Sequence, residues 1–166
     1  MTAVGDPDRV SAVIGDALTG LGMQFESTGP RQFLVHLPGD NRLDTATWLA
    51  VTDHALVLEA FFMRQPDVNH AQLYRFLLER NARMYGVHFA ADDAGDIYLI
   101  GRIPLSAVDA TEIDRLLGCV LSYSDETFNT AVEIGFADAI RREHAWRVRR
   151  GLPVDNLSRF AHLIED

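Results

Sequence analysis

The side chains with the widest chemical repertoire in this sequence are six histidines and one cysteine. Metal sites built from such residues usually contain short-spaced ligand pairs, because one element then supplies two ligands to the same ion. No two histidines fall within such a pair, and Cys119 is far from all of them in the sequence. We therefore expect surface or strand-face histidines and no metal site, with a site assembled by the fold from distant residues as the alternative. The histidines are His36, His54, His70, His88, His144 and His162.

The run Asp92-Asp93-Ala94-Gly95-Asp96 has the oxygen-rich composition of a calcium-binding loop. An EF-hand also needs a closing glutamate in a frame of about 12 residues, with a helix on each side. No glutamate closes the frame here, and the flanking segments have the pattern of strands. The run predicts a polar hairpin turn.

Covalent and nucleotide-dependent chemistry has little support among the remaining residues. All 15 basic residues are arginine, so neither the phosphate-binding lysine of a P-loop nor a Schiff-base lysine is available. Gly20-Leu21-Gly22 follows a predicted helix, whereas a dinucleotide-binding glycine loop follows a strand. Cys119 lies on an apolar helical stripe, which predicts a buried and inert thiol. We expect no catalytic residue and no cofactor; an enzyme or small-ligand site of scattered His, Asp and Arg residues is the alternative.

The most distinctive charged feature is a run of five arginines and one tryptophan within residues 141–150. One interpretation is a contact for an anionic partner, with the tryptophan stacking and the arginines pairing with phosphates or carboxylates. The other, which we favour, is a solvated helix end whose arginines oppose the partial negative charge of the helix C-terminus. The net charge of −9 also disfavours an extended nucleic-acid or anionic-membrane surface. The candidate contacts are Arg141, Arg142, Trp146, Arg147, Arg149 and Arg150.

One domain must position these side chains, because 166 residues is the length of a single globular unit. Asp6 and Pro7 are typical of a helix start. An apolar residue at every third or fourth position then continues the helix to Leu21, and Gly22 ends it. Short β-branched or aromatic segments between turn residues predict antiparallel strands. They lie at residues 23–28, 32–37, 45–51 and 55–63.

The second half of the chain combines a hairpin with further helices. Asp109 and Glu112 have the spacing of a capping box, which marks a helix start. A break at Ser122–Asp125 is predicted to separate that helix from the next, with Asp125-Glu126 as helix-start residues. The predicted fold class is α+β, with an N-terminal helix, an antiparallel β-sheet packed by helices on one face, a domain over 1–150 and a helical tail over 151–166. The elements are a helix at 68–85, strands at 87–91 and 97–103, helices at 109–121 and 128–148, and a short helix at 155–164.

A series of motifs in the middle of the chain has a recognisable order and spacing. Leu77-Leu78-Glu79-Arg80-Asn81 ends a helix, and two strands then flank the Asp92–Asp96 turn. Gly101–Leu105, the helix at 109–123, and Gly135-Phe136 with the arginine run follow. Over about residues 8–150 this order resembles the YbjN-like domain family, in its actinobacterial branch. The resemblance implies a type III secretion chaperone-like fold and small, acidic, often paired proteins without known catalytic residues, described as sensory-transduction or stress-response regulators.

The residues and the resemblance together predict a non-enzymatic protein-binding module, either a chaperone-like adaptor or a regulator. Phe61, Phe62 and Met63 are consecutive in one predicted strand, so at least one must point away from the helix-covered side. With Trp48, they are the candidate contacts for a protein partner or for a second copy in a homodimer, since exposed apolar patches usually mark interfaces. Without a signal peptide or a membrane-length apolar run, we expect a cytoplasmic protein with no membrane partner. A nucleic-acid regulator acting through Arg141–Arg150 is the weaker alternative.

Overall fold

A computed structural model describes residues 5–164. The chain forms one antiparallel sheet with helices packed against it. The elements are α1 (Pro7–Gly20), β1 (Gln24–Gly29), β2 (Gln32–Leu37), β3 (Thr45–Val51), β4 (Ala55–Met63), α2 (His70–Asn81), β5 (His88–Ala91), β6 (Ile97–Pro104) and α3 (Ala110–Arg150). Two 3-10 helices, Leu105–Ala107 and Asp155–Leu163, precede and follow α3.

The sheet has six strands in the order β1-β2-β3-β4-β6-β5. The first four strands are joined in sequence by short connections, as the close spacing of the turn residues predicts. After α2 the chain returns as β5, which pairs with β6 on the side away from β4. The two edges of the sheet are therefore β1 and β5.

Helices cover one face of this sheet, and the core lies between them and the strands. Alternate strand residues such as Leu49, Leu58 and Leu99 are buried there, because successive strand side chains point to opposite faces. They pack with Ile14 of α1 and Leu116 of α3 in one continuous apolar cluster. The predicted α+β class, with helices on one face of an antiparallel sheet, is confirmed.

The first two helices show how local signals set helix ends. The side chain of Asp6 accepts a hydrogen bond from the Asp8 N–H (3.0 Å), as expected for the residue that caps α1. α2 is shorter than the predicted 68–85. It starts after Asn69, whose φ is 55°, and it ends at Asn81, whose side chain bonds to the Phe89 backbone of β5.

The predicted break at Ser122–Asp125 is wrong, because α3, which spans 41 residues, continues without interruption through these positions. The polar residues that suggested a break make tertiary contacts instead. The Ser124 hydroxyl is buried and lies 3.1 Å from the Thr45 hydroxyl of β3. Asp125 starts no helix; it points at the β2–β3 loop. Asp109 does cap the start, accepting from the Glu112 N–H (2.8 Å).

α3 bends further along, at Phe136, whose φ and ψ are −136° and 18°. Just before the bend, the Gly135 carbonyl oxygen accepts hydrogen bonds from the N–H groups of Asp67 and Val68 (3.0 and 3.2 Å). A Cβ at Gly135 would lie 2.9 Å from the Cβ of Pro66, so glycine allows this close approach. The segment between β4 and α2 therefore hydrogen-bonds to a backbone carbonyl of α3. Insertion of an outside group into the hydrogen-bond pattern of a helix is a recognised cause of kinks.

The residues after α3 fold back along it. Gly151, at a φ of 65°, ends the helix. Leu157 and Phe160 of the following 3-10 helix are buried, as is Ile140 of α3. Where a short terminal helix was predicted, at 155–164, the chain forms 3-10 turns over Asp155–Leu163 that are interrupted at Phe160. Residues 165 and 166 of the predicted tail lie outside the described residues.

Candidate functional site

The face of the sheet opposite the helices carries most of the exposed apolar side chains of the strands. One row of residues crosses all six strands in register: Glu26, Leu34, Trp48, Glu59, Ile100 and His88. Adjacent rows contain Ala50, Val57 and Arg102 on one side, and Phe61, Tyr98 and Ala90 on the other. We call this surface the open face.

Trp48 and Phe61 are the large apolar residues most exposed on the open face, at 42% and 41%. The Phe61 ring packs edge-to-face against Tyr98 on the neighbouring strand, with ring centroids 5.5 Å apart. Such a pair orients the aromatic ring on the surface. Both residues are sequence candidates for partner contact, and the fold places both on the same open face.

Phe62 and Met63, two other candidates, lie in the core at 0% and 5% exposure. Strand alternation buries Phe62, and a β-bulge then buries the next residue as well. Phe61 pairs with Tyr98 and Met63 with Ile97, so Phe62 is the extra residue on β4. Their burial corrects the prediction that these two residues contact a partner.

Arg42, in the β2–β3 loop, supports this part of β4 from the side. Its guanidinium donates to the Phe61 carbonyl oxygen (2.8 Å) and to that of Phe62. The same group lies 5.4 Å from the centre of the Phe128 ring, within the range of a cation–π contact. Burial lowers the pKa of Arg42 below its ordinary value. This arginine holds the bulge that separates Phe61 from the core.

Asp125 of α3 in turn holds the loop that carries Arg42. Its Oδ1 accepts hydrogen bonds from the backbone N–H groups of Asn41 (2.7 Å) and Arg42 (2.9 Å). Burial on its own would raise the pKa of Asp125, but these bonds and that from Asp40 lower it below the ordinary 3.8. A Cβ at Gly39 would lie 2.5 Å from the same carboxylate, so the loop needs glycine there.

The arginine run is divided by the fold into two groups. Arg141 donates to the Leu163 carbonyl oxygen (2.9 Å), and Arg147 to that of Pro153 (3.1 Å), so both hold the C-terminal tail. Along the described part of the chain, residues 5–164, Arg142, Arg149 and Arg150 make no ion pair. Arg150 lies over the ring of Trp146 (5.4 Å), which is 40% exposed.

The other sequence candidates do not converge on a site. Among residues 5–164 no group of three or more His, Cys, Asp or Glu side chains is arranged to hold a metal ion. The Asp92–Asp96 run is the turn between β5 and β6, with the Asp92 side chain accepting from the N–H groups of Ala94 and Asp96 (both 2.9 Å). The hairpin prediction is confirmed. None of the helices described here has the length and apolar character that crossing a bilayer requires.

Sequence reasoning missed Arg42, Asp125 and Asn81, which position the open face and close one edge of the sheet. Each acts on backbone groups of another segment: Asp125 lies 84 residues from Asn41, Arg42 lies 19 from Phe61, and Asn81 lies 8 from Phe89. No periodicity or local motif marks such a contact. For Asp125 the available signal was a polar residue inside an apolar helical stripe, and that signal was interpreted as a helix break.

Comparison with known sequences gives a family match and close relatives. Residues 11–133 match the family described as "Putative bacterial sensory transduction regulator". A protein of Mycobacterium leprae is 48% identical over 138 residues, covering 83% of this chain and 75% of its own length. One of Mycobacterium tuberculosis is 50% identical over 134 residues, covering 81% and 73%. Both relatives are named only as uncharacterized proteins.

Comparison with solved structures identifies the fold. A chain of the ExsC–ExsE complex matches with a TM-score of 0.54 at 18% identity, over 74% of this chain and 93% of that chain. A chain of the heterodimeric ExoU–SpcU complex from the type III secretion system of Pseudomonas aeruginosa matches with a TM-score of 0.51 at 17% identity, over 73% and 96%. The fold is that of type III secretion chaperones, as the resemblance implied.

Proposed function

The chain belongs to the YbjN family, and on that premise we propose that it is a non-enzymatic protein-binding module, a chaperone-like adaptor or regulator that binds its partner on the open face. The family membership and the chaperone fold support a protein-binding role. The matched structures, ExsC–ExsE and ExoU–SpcU, are complexes between proteins. We infer that this chain also acts by binding another protein, and that it does so in the cytoplasm.

One observation carries the proposal: the sheet has a largely apolar centre on the side that none of the helices within residues 5–164 covers. The four strands that carry its apolar residues, at a spacing of about 4.8 Å, and five residues at about 3.3 Å each give an area of about 300 Å². Exposed patches of about 300–600 Å² on single-chain proteins are often functional. The apolar members are Leu34, Trp48, Val57, Phe61, Tyr98 and Ile100.

The arrangement of charge on this face also fits a protein partner. Glu26 and His88 lie on the edge strands and Arg102 near the end of β6, around the aromatic residues, while Glu59 is the one charged residue of this face between Trp48 and Ile100. Protein interfaces commonly have an apolar, aromatic centre and a polar rim. A small ligand would need a concave pocket with converging polar groups, whereas this surface is a sheet face.

The test is capture of partners from extracts of the source organism by the tagged protein, with Phe61→Asp and Leu43→Asp variants in parallel. Leu43 is exposed in the β2–β3 loop, off the sheet, so its variant controls for an added surface charge. We expect a near-stoichiometric partner with the wild type and with Leu43→Asp, resistant to high salt, and its loss with Phe61→Asp.

Equal retention by Phe61→Asp, with its fold verified by circular dichroism, would contradict the open face as the binding surface. Recovery of the bait alone, as a dimer that Phe61→Asp dissociates, would identify the partner as a second copy. Recovery of RNA or DNA that is lost when salt is raised, and when Arg149 and Arg150 are changed to alanine, would instead favour the nucleic-acid alternative.

A further inference from the structure

The two edges of the sheet differ in whether their backbone is available to another chain. An edge strand presents N–H and C=O groups that a further strand can bind. Proteins also use such edges to bind extended peptides, which gain affinity from main-chain hydrogen bonds. β1 and β5 are the two edges here.

The β5 edge is closed by a side chain of α2. The Asn81 carboxamide donates to the Phe89 carbonyl oxygen (3.0 Å) and accepts from the Phe89 N–H (2.8 Å). It thus takes both hydrogen bonds that a neighbouring strand would form with this residue. The Val87 N–H, just before β5, donates to the Tyr85 carbonyl oxygen (2.8 Å). In a strand of four residues, this leaves little edge to pair with.

The β1 edge has no comparable closure. Across residues 5–164, the backbone of Gln24–Gly29 pairs with β2, and its other bond is from the Ser27 hydroxyl to the Gly29 carbonyl oxygen (3.3 Å). Four of its six residues are exposed. No proline or lysine, the residues that commonly protect natural edges, occurs within this strand.

We propose that β1 accepts an extended segment of the protein partner as a seventh strand, and that this segment carries a basic side chain opposite Glu26. The inference rests on the proposed function and adds where and how the partner binds. The side chains of β1 are polar, apart from that of Phe25, which packs against Phe33. β1 therefore offers main-chain hydrogen bonds rather than an apolar surface, and a strand is the structure that uses them.

The charge of the partner follows from Glu26. This carboxylate is exposed, lies on the open face and forms no ion pair with any residue the structure describes. Opposite charges directly across two strands attract, and like charges repel. In a chain of net charge −9, a basic segment is also favoured at longer range. Because Glu26 and Trp48 belong to one row, a strand added here extends the open face without covering it.

The experiment uses two capped six-residue peptides as probes, Val-Thr-Arg-Thr-Val-Thr and Val-Thr-Glu-Thr-Val-Thr, titrated into the isotope-labelled full chain and followed by backbone NMR. We expect saturable shifts confined to the amides of residues 24–29 and their β2 neighbours. The arginine peptide should bind about two- to fivefold more tightly than the glutamate peptide, which is the size of one cross-strand charge pair.

Glu26→Arg should reverse that preference. Glu59→Arg is the matched control, because Glu59 is another exposed glutamate of the open face that forms no ion pair with residues 5–164, but it lies on a central strand. It should leave the preference unchanged. Asn81→Ala should add a second set of shifts at residues 88–91, because it frees both backbone groups of Phe89.

Shifts only around Trp48 and Phe61 would overturn the β1 proposal and leave the proposed function standing. The absence of saturable shifts at peptide concentrations up to millimolar would also overturn the β1 proposal, whatever the result of the partner capture. Binding at β1 with the same affinity for both peptides would overturn the assignment of a basic segment. Binding at β1 together with a partner insensitive to Phe61→Asp would contradict the open face and not the edge.

Discussion

Phe61 and Phe62 are neighbours in one strand, yet the two faces of the sheet give them opposite surroundings. Phe62 has no exposed surface and packs against Phe89 and Phe128, whereas Phe61 is 41% exposed. The covered face contains the contacts that fold the protein. The open face has comparable apolar residues, and no element within residues 5–164 covers them. The contrast shows that residue type alone does not distinguish a core residue from a binding residue; the face of the strand does.

The largest expected difference in the free energy of unfolding is between alanine variants of the two phenylalanines, Phe61 and Phe62. Phe62→Ala removes a fully buried ring and should lower the free energy of unfolding by about 3–5 kcal/mol. Phe61→Ala should lower it by less than about 1 kcal/mol, because its ring is already partly in water. Chemical denaturation of the two variants measures both values. Equal losses would mean that the open face is part of the folding core.

The next largest effect is expected where α3 holds the loop behind Phe61. Asp125→Ala leaves the N–H groups of Asn41 and Arg42 without their acceptor and should cost about 1–3 kcal/mol. The same variant should also weaken partner binding, because Arg42 no longer supports the bulge of β4. Asp114→Ala, which removes from the same helix an exposed carboxylate that forms no ion pair among residues 5–164, is the control and should change neither quantity.

The lowered pKa of Asp125 also predicts how stability depends on pH. Its pKa is lower in the folded chain than the ordinary 3.8, so its stabilising contribution is complete above about pH 4 and is lost as the pH falls through the lower folded value. The wild type and Asp125→Ala should therefore differ most in stability above pH 4 and converge in stronger acid. Denaturation at a series of pH values measures this difference. A gap that stays constant down to pH 2 would contradict the assigned role of the carboxylate.

A smaller effect is expected on the covered side, at the C-terminal tail. Arg147→Ala removes bonds to Glu143 and to the Pro153 carbonyl oxygen and should cost about 0.5–1.5 kcal/mol. Arg149→Ala, two residues away and without such bonds, should leave stability unchanged. Hydrogen exchange at residues 157–160 should rise only in the first variant. A rise in both would show that the two groups of arginines are not distinct.

The smallest effect on stability, with the largest on binding, is expected for Trp48→Ala. Its indole is exposed on the open face, so the free energy of unfolding should change by less than about 1 kcal/mol. Partner capture should fall at least tenfold, the usual cost of losing an aromatic residue at the centre of an interface. A variant that binds normally would exclude Trp48 from the contact.

The elements of this fold are largely readable from the sequence, because the signals that define them are local. Asp6 and Pro7 start α1, and Asp109 starts α3, in each case through hydrogen bonds or backbone preferences within a few residues. The turn at Asp92–Asp96 is equally local. Where the prediction was wrong, at Ser122–Asp125, the polar side chains serve β3 and the β2–β3 loop, which are distant in the sequence.

By itself the sequence determined the order of helices and strands, the antiparallel connections and the absence of lysine chemistry, since these follow from short-range patterns and residue types. Only the tertiary structure decided which of Phe61, Phe62 and Met63 is exposed, because a bulge shifts the alternation by one residue. It alone also decided that Asn81 closes one edge of the sheet while β1 stays open. Both outcomes depend on hydrogen bonds between segments that meet only when the chain has folded, and no local pattern records them.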